Sequence, residues 1–176
     1  MKIKLITAEN QNALNLKNEP FELIGRMIVT RSLNTWEHTE DLLLKSQIIK
    51  QTFPDEHYCL DKINTSGFAV AAFTNDNLPI GLAIFENQMF KYMMLVDLKV
   101  NQKYRGMHIA SQMLDFAEPL IKQRNYLGIC VLCQDNNLHA CRFYLNNRFE
   151  IGGLNTNNYN FTSQMGKQDI YFYRDI

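Results

Sequence analysis

The sequence contains no block of like charge and no apolar run approaching the roughly 20 residues of a membrane span. It has only four prolines, four cysteines and one tryptophan in 176 residues. Eighteen basic side chains balance eighteen acidic ones, so the formal net charge is zero. A chain without a basic tract is poorly suited to tracking nucleic-acid phosphates or to lying on an anionic membrane, and neither partner is expected. The opening stretch MKIKLITAEN has no long apolar segment, which points to a cytoplasmic protein. Cysteine is too sparse for a disulfide scaffold. Cys130 and Cys133 form a C-x-x-C pair, but inside the strand-like YLGICVLCQD, where a spacing of three sends two side chains to opposite faces. No second pair exists, and histidines 38, 57, 108 and 139 are scattered, so buried thiols and no metal site are expected.

What is present is 46% apolar content. In a chain of this length that can bury about two-thirds of the unfolded surface, and one domain over residues 1–176 is the default. KIKLIT alternates as a first strand. The segment from Asn18 to Phe53 is ambiguous: FELIGRMIVT favours a strand, whereas TEDLLLKSQIIK has helical spacing with Thr39 as a cap. GFAVAAFTNDNLPIGLAIFENQMFKYMMLVDLKV is three apolar runs separated by turns, an antiparallel meander. After Gly106 the period changes to that of a helix, with Ile109, Met113, Phe116, Ala117 and Leu120 on one stripe and Pro119 loosening its last turn. A strand follows, then a short helix capped by Asn136 or Asn137 with Leu138, Cys141 and Leu145 inward, then FEIGGL and QDIYFYRDI as strands. This order predicts an α+β fold with a central mixed, mostly antiparallel sheet flanked by α-helices.

The junction VDLKVNQKYRGMHIASQM carries the chemistry. A strand that delivers the chain to a helix start leaves the first NH groups of the helix without intrahelical partners, and the macrodipole adds positive charge there. With Arg105 beside it and Gly106 allowing close backbone approach, the fitting guest is a phosphate or pyrophosphate, with an ordinary surface turn as the alternative. On the later helix, Asn137, Ala140 and Tyr144 share one face.

Together, Arg105-Gly106-Met107-His108-Ile109-Ala110 and Asn137-x-x-Ala140-x-x-Phe143-Tyr144 resemble the two signature segments of the GNAT N-acetyltransferases. The first corresponds to Arg-Gly-x-Gly-Ile/Leu-Gly/Ala, and His108 stands at its second glycine. Arg148 stands at the glycine closing the other segment. The blocks NEPFELIGRMI, WEHTE, QDNNLHACRFY and IGGLNTNNYNF further resemble the streptothricin acetyltransferases within that family, over the length of the chain.

The resemblance implies the GNAT fold and acetyl-CoA as cosubstrate. Leu98 and Val100 would pair through main-chain atoms with its pantetheine arm, and residues Arg105, Gly106, Met107, His108, Ile109 and Ala110 would hold its pyrophosphate. Asn137 would bond the arm, and Tyr144 would protonate the departing thiolate. A helical backbone at His108 can supply an NH as glycine would. Acetylation needs a neutral amine, and an alkylammonium has a pKa near 10.4. A base is therefore required; Asp97 is the candidate, with a paired structural aspartate as its alternative.

For the acceptor the resemblance implies Trp36, Glu40 and Tyr159, although a lone tryptophan also suits a core. The implied reaction is acetyl transfer to a primary amine of a small molecule, with the β-lysine amine of streptothricin, and so antibiotic resistance, as the named candidate. A polyamine or a peptide amine is the alternative acceptor, and a non-catalytic CoA-binding module the alternative role. Val96 and Leu132 stand where those relatives carry glutamates. Apolar strand surface such as IYFYRDI offers an interface for a homodimer.

Overall fold

A computed structural model describes residues 1–176. The chain forms two compact units, neither of them a continuous stretch: Met1–Glu19 with Phe53–Ile129 and Ile176, and Pro20–Thr52 with Cys130–Asp175.

In the first unit, strands β1 (Lys2–Leu5), β6 (Gly67–Phe73), β7 (Pro79–Glu86) and β8 (Tyr92–Val100) lie in the order β1-β6-β7-β8, and the three consecutive pairs are antiparallel. The expected meander is therefore present. All seven residues of β6 are buried, which explains why its sequence reads as an unbroken apolar run. Ala69, Ala71 and Phe73 turn to one face, where they join Ile6, Leu14, Leu60, Ile63, Leu82 and Ile84. Leu60 and Ile63 come from the short helix α1 (Leu60–Ser66).

Helix α2 (Ile109–Gln123) packs on the same strands. Gly81 of β7 admits it: a Cβ there would stand 3.0 Å from Cε of Met113. The helix runs through Pro119, and its inward residues are Ile109, Met113, Leu114, Ala117 and Ile121. The stripe is rotated from the one expected, since Phe116 is exposed and Leu120 only half-buried. A 100° step per residue leaves Leu114 and Phe116 almost equally placed to join the stripe. The sheet surface selects Leu114.

In the second unit, β3 (Gly25–Ser32) and β4 (Thr35–Leu42) form a hairpin with register Gly25↔Leu42 to Ser32↔Thr35, and β2 (Phe21–Leu23) pairs β5 (Ile49–Gln51). The helix considered from Thr39 onward is replaced by strand and a single 3₁₀ turn at Lys45–Gln47. The reason is visible in β4, where only Trp36 is even partly covered: a strand with two open faces has no period 2 to display.

Strand β9 (Gly128–Gln134), whose first two residues fall in the first unit, leads to helix α3 (Leu138–Asn146), β10 (Glu150–Asn155) and β11 (Asp169–Asp175). The order is β9-β11-β10. Strand β11 is thus interior, with Ile170 and Phe172 fully buried and Tyr171 and Tyr173 half-buried. Cys130, Cys133 and Cys141 are buried too, with the Cys133 and Cys141 Sγ atoms 3.6 Å apart. Burial lifts the Cys130 thiol to about 11. Three α-helices and antiparallel strand pairs place the protein in the α+β class. No helix is long and apolar enough to cross a membrane.

Candidate active site

In the first unit, β8 and β7 lose register where Asp97 faces Ile84 but Leu95 faces Phe85. Val96 is the extra residue of this bulge, and its side chain is exposed. Beyond it Leu98 faces Ala83 and Val100 faces Gly81. Asn101 then turns the chain, its Oδ1 accepting from the Lys103 NH at 3.2 Å, through the 3₁₀ turn Gln102–Tyr104.

Arg105 folds back: its Nε donates to the Val100 carbonyl at 3.0 Å, and Nη2 lies 3.8 Å from Glu19, which also accepts from the Gln102 NH. The side chain thereby fixes the turn to the strand that precedes it. Gly106 follows at φ +78°, with nothing within 4 Å of the position a Cβ would take. Met107 is exposed; Ile109 is buried and Ala110 half-buried in the first turn of α2.

His108 is not helical, contrary to the expectation. It is the N-cap residue of α2 at φ +57°, ψ +19°, in the left-handed region where glycine is at ease and a Cβ is strained. The family's glycine at this position has a backbone reason, and this chain keeps the conformation without it. His108→Gly is therefore expected to stabilise the fold by about 0.5–1 kcal/mol, the relief of strain less the entropy glycine loses on folding. A thermal melt reads this as a rise of roughly 1–4 °C. An unchanged or lowered midpoint would show that the imidazole makes compensating contacts.

Asp97 sits in an ionic cluster that the sequence did not announce. It accepts from Tyr58 Oη at 3.1 Å and pairs with Lys99 Nζ at 3.0 Å; Lys99 also meets Glu56 at 3.0 Å. Burial raises the Asp97 carboxyl above the usual carboxylate range, against the opposing pull of Lys99. Burial would lower the Lys99 ammonium, but Asp97 and Glu56 outweigh it and hold it high. The Tyr58 hydroxyl is pushed up by burial and by Asp97. Lys99 follows Asp97 at the strand period of two, which was the available signal. Tyr58 and Glu56 arrive from irregular chain and left none.

In the second unit, Asn137 caps α3, its Oδ1 accepting from the Ala140 NH at 3.3 Å. Tyr144 is buried at 7% exposure. Its ring has Phe143, Phe149 and Phe172 at centroid distances of 5.4, 5.3 and 5.5 Å. The helix ends with Phe149 NH bonded to the Tyr144 carbonyl at 3.1 Å and Arg148 NH to the Leu145 carbonyl at 3.3 Å. These are the two bonds of a Schellman closure, with Arg148 at φ +66° where glycine is usual. The Tyr144–Phe149 contact is the apolar pair that accompanies such a closure.

Trp36 is not in the core: it lies partly exposed on the hairpin with the Arg31 guanidinium 5.4 Å from its ring centroid. Glu40 is engaged by Arg142 of α3, Nε at 2.7 Å and Nη2 at 2.5 Å. That bidentate bond holds the Glu40 carboxyl below its ordinary range. Tyr159 donates to Asp169 Oδ1 at 2.7 Å and accepts from Gln134 Nε2 at 2.8 Å. Burial, with Asp169 beside it, pushes its hydroxyl up to about 12. Arg142, Gln134 and Asp169 were not among the expected site residues, although Gln134 and Arg142 lie within the block QDNNLHACRFY.

The first unit thus carries a strand bulge and an Arg-Gly turn with two left-handed residues, and the second a helix capped by Asn137 that bears Tyr144. The acetyltransferase (GNAT) family model matches residues 31–148, and the chain belongs to that family. It is 26% identical to streptothricin acetyltransferase A of Bacillus subtilis strain 168 over 97% of this chain and 98% of the relative. In structure it is similar to a Bacillus anthracis protein described as a streptothricin acetyltransferase and solved with acetyl coenzyme A: TM-score 0.86, 20% identity, 99% and 98% coverage. It is also similar to nourseothricin acetyltransferase, at TM-score 0.80, 16% identity, and 99% and 97% coverage.

Proposed function

We propose that the two units act as one acetyltransferase domain that moves an acetyl group from acetyl-CoA to a primary amine of a small molecule, with the β-lysine amine of streptothricin as first candidate. The observation that carries the reading is the turn at Gly106: left-handed, open on the side where a Cβ would be, and placed at the start of a 15-residue helix. A pyrophosphate suits such a turn, because the first NH groups of a helix lack intrahelical partners and nothing stands where a Cβ of Gly106 would be. When bound, the cosubstrate supplies an activated acetyl thioester.

The chain's own residues then have separate tasks. Main-chain groups of Leu98 and Val100 hold the pantetheine arm. Residues Arg105 to Ala110 hold the phosphates, with Arg105 ordering the turn through Val100 and Glu19 and backbone NH groups making the contact. Asn137 keeps α3 in register. Asp97, with its raised carboxyl, takes the proton from the acceptor ammonium directly or through water, beside the Lys99 ammonium that pairs with it. Tyr144 gives a proton to the thiolate. Trp36 and Tyr159 meet the acceptor, while Glu40 acts through Arg142 to steady α3. Exposed Val96 and Leu132, apolar where the resemblance would put glutamates, favour a peptide amine flanked by apolar groups as the second acceptor.

The test is free-thiol release from acetyl-CoA with streptothricin, polyamines and a lysine peptide. Release with streptothricin is the expected result. Release with a different amine alone would remove the antibiotic and keep the reaction. No release with any amine, alongside measurable CoA binding, would overturn the reading.

A further inference from the structure

Lys167, in the connection from β10 to β11, has an unusual set of partners. Its ammonium is bonded to three side-chain amide oxygens: Gln164 Oε1 at 3.0 Å, Gln51 Oε1 at 3.4 Å and Gln134 Oε1 at 3.5 Å. None of the ion pairs in the protein involves it. An ammonium has three N–H donors, and here it meets three neutral acceptors.

The direction of two of the three amides, those of Gln134 and Gln164, is fixed. Tyr159 gives its own hydrogen to Asp169, so it can only accept from Gln134, and the Gln134 amide must turn its NH₂ to Tyr159. The same NH₂ reaches Gln164 Oε1 at 3.2 Å. The Gln134 oxygen is thereby left facing Lys167, and the orientation does not depend on Lys167 itself.

The hold on Lys167 is weak by comparison with the cage. Two of its three bonds are long and no carboxylate neutralises it, while its main-chain NH is held by the Gln164 carbonyl at 3.2 Å. Gly166 has φ +94° with nothing within 4 Å of a Cβ position, and Phe161 and Met165 in the same connection are fully or largely exposed. A preformed set of acceptors is occupied by a tethered cation that can swing away.

Resting on the acetyltransferase reading above, we propose that Gln51, Gln134 and Gln164 form a subsite for a primary ammonium of the acceptor, and that Lys167 is its resident pseudo-ligand, displaced when the acceptor binds. The attacking amine must be neutral, so it is not the group held here. The acceptor class is therefore a compound with two amines, one acetylated and one kept charged in the glutamine cage.

The experiment uses the full chain and n-butylammonium as probe, followed by the side-chain amide NMR signals of the three glutamines. Lys167→Met is expected to bind the probe about tenfold more tightly than the parent if the lysine occupies the cage some nine-tenths of the time. Adding Gln164→Leu should remove that gain, and potassium chloride should not reproduce it. In turnover, Lys167→Met should lower KM for a diamine by a similar factor, leave kcat within about twofold, and leave a monoamine unaffected. Lys167→Ala gives the same comparison should the methionine pack poorly. No gain in either variant would make Lys167 a structural pin and overturn the proposal; equal response to potassium would overturn it in favour of a plain monovalent-cation site. Probe binding as expected with no amine acetylated would instead count against the acetyltransferase reading and leave the cage standing.

Discussion

Tyr144→Phe is expected to lower kcat for acetyl transfer by about 10²- to 10⁴-fold, the range a positioned general acid contributes. The substitution deletes one oxygen and keeps the ring that Phe143, Phe149 and Phe172 surround. The thermal midpoint should therefore move little, and CoA affinity should stay within about threefold because uniform binding is untouched. Stopped-flow or thiol-release kinetics with equilibrium CoA titration separate these quantities. A kcat within a few-fold of the parent would remove the tyrosine from the chemistry and leave it as a core ring.

Phe172→Ala is expected to cost about 3–5 kcal/mol, the usual consequence of emptying a fully buried phenyl site. Phe172 lies in β11, an interior strand of the second unit, and is completely shielded from solvent. Collapse around the gap is opposed because its ring neighbour Tyr144 is itself held against Phe143 and Phe149. The same ring flanks Tyr144 at 5.5 Å, so activity should fall further than the loss of folded protein accounts for. Urea unfolding at constant m-value measures the first effect, and specific activity per folded molecule measures the second. A loss under about 1 kcal/mol would mean that Tyr144 and Phe149 close over the space.

Much of the first unit was legible because its strands are buried on both faces or alternate cleanly, and because the change of period after Gly106 is abrupt. The second unit was harder. Strand β4 exposes nearly every side chain, so Thr39 to Lys50 could pose as an amphipathic helix until its partner β3 was seen.

The site divides in the same way. The placing of Asn137 and Tyr144 on one helix was readable from helical spacing, and the strand-to-helix turn at Arg105-Gly106 from the change of period. What spacing cannot carry is long-range pairing: Glu40 with Arg142, Tyr159 with Asp169, and Lys99 with Glu56 are separated by 102, 10 and 43 positions. Nor does residue type reveal that His108 and Arg148 hold left-handed backbone. There, tertiary structure imposes a conformation that the side chain disfavours.

The interleaving of the two units bears on how the chain is made. A ribosome releases Pro20–Thr52 early, yet the strands and helix that complete its unit lie in Cys130–Asp175. During translation of the intervening residues, the meander and α2 can settle while the hairpin β3–β4 waits with Met27 and Val29 uncovered. Nascent-chain arrest with residue 129 just clear of the exit tunnel should therefore catch a protease-resistant first unit carrying a protease-sensitive insertion, and chaperone dependence should be concentrated in that interval.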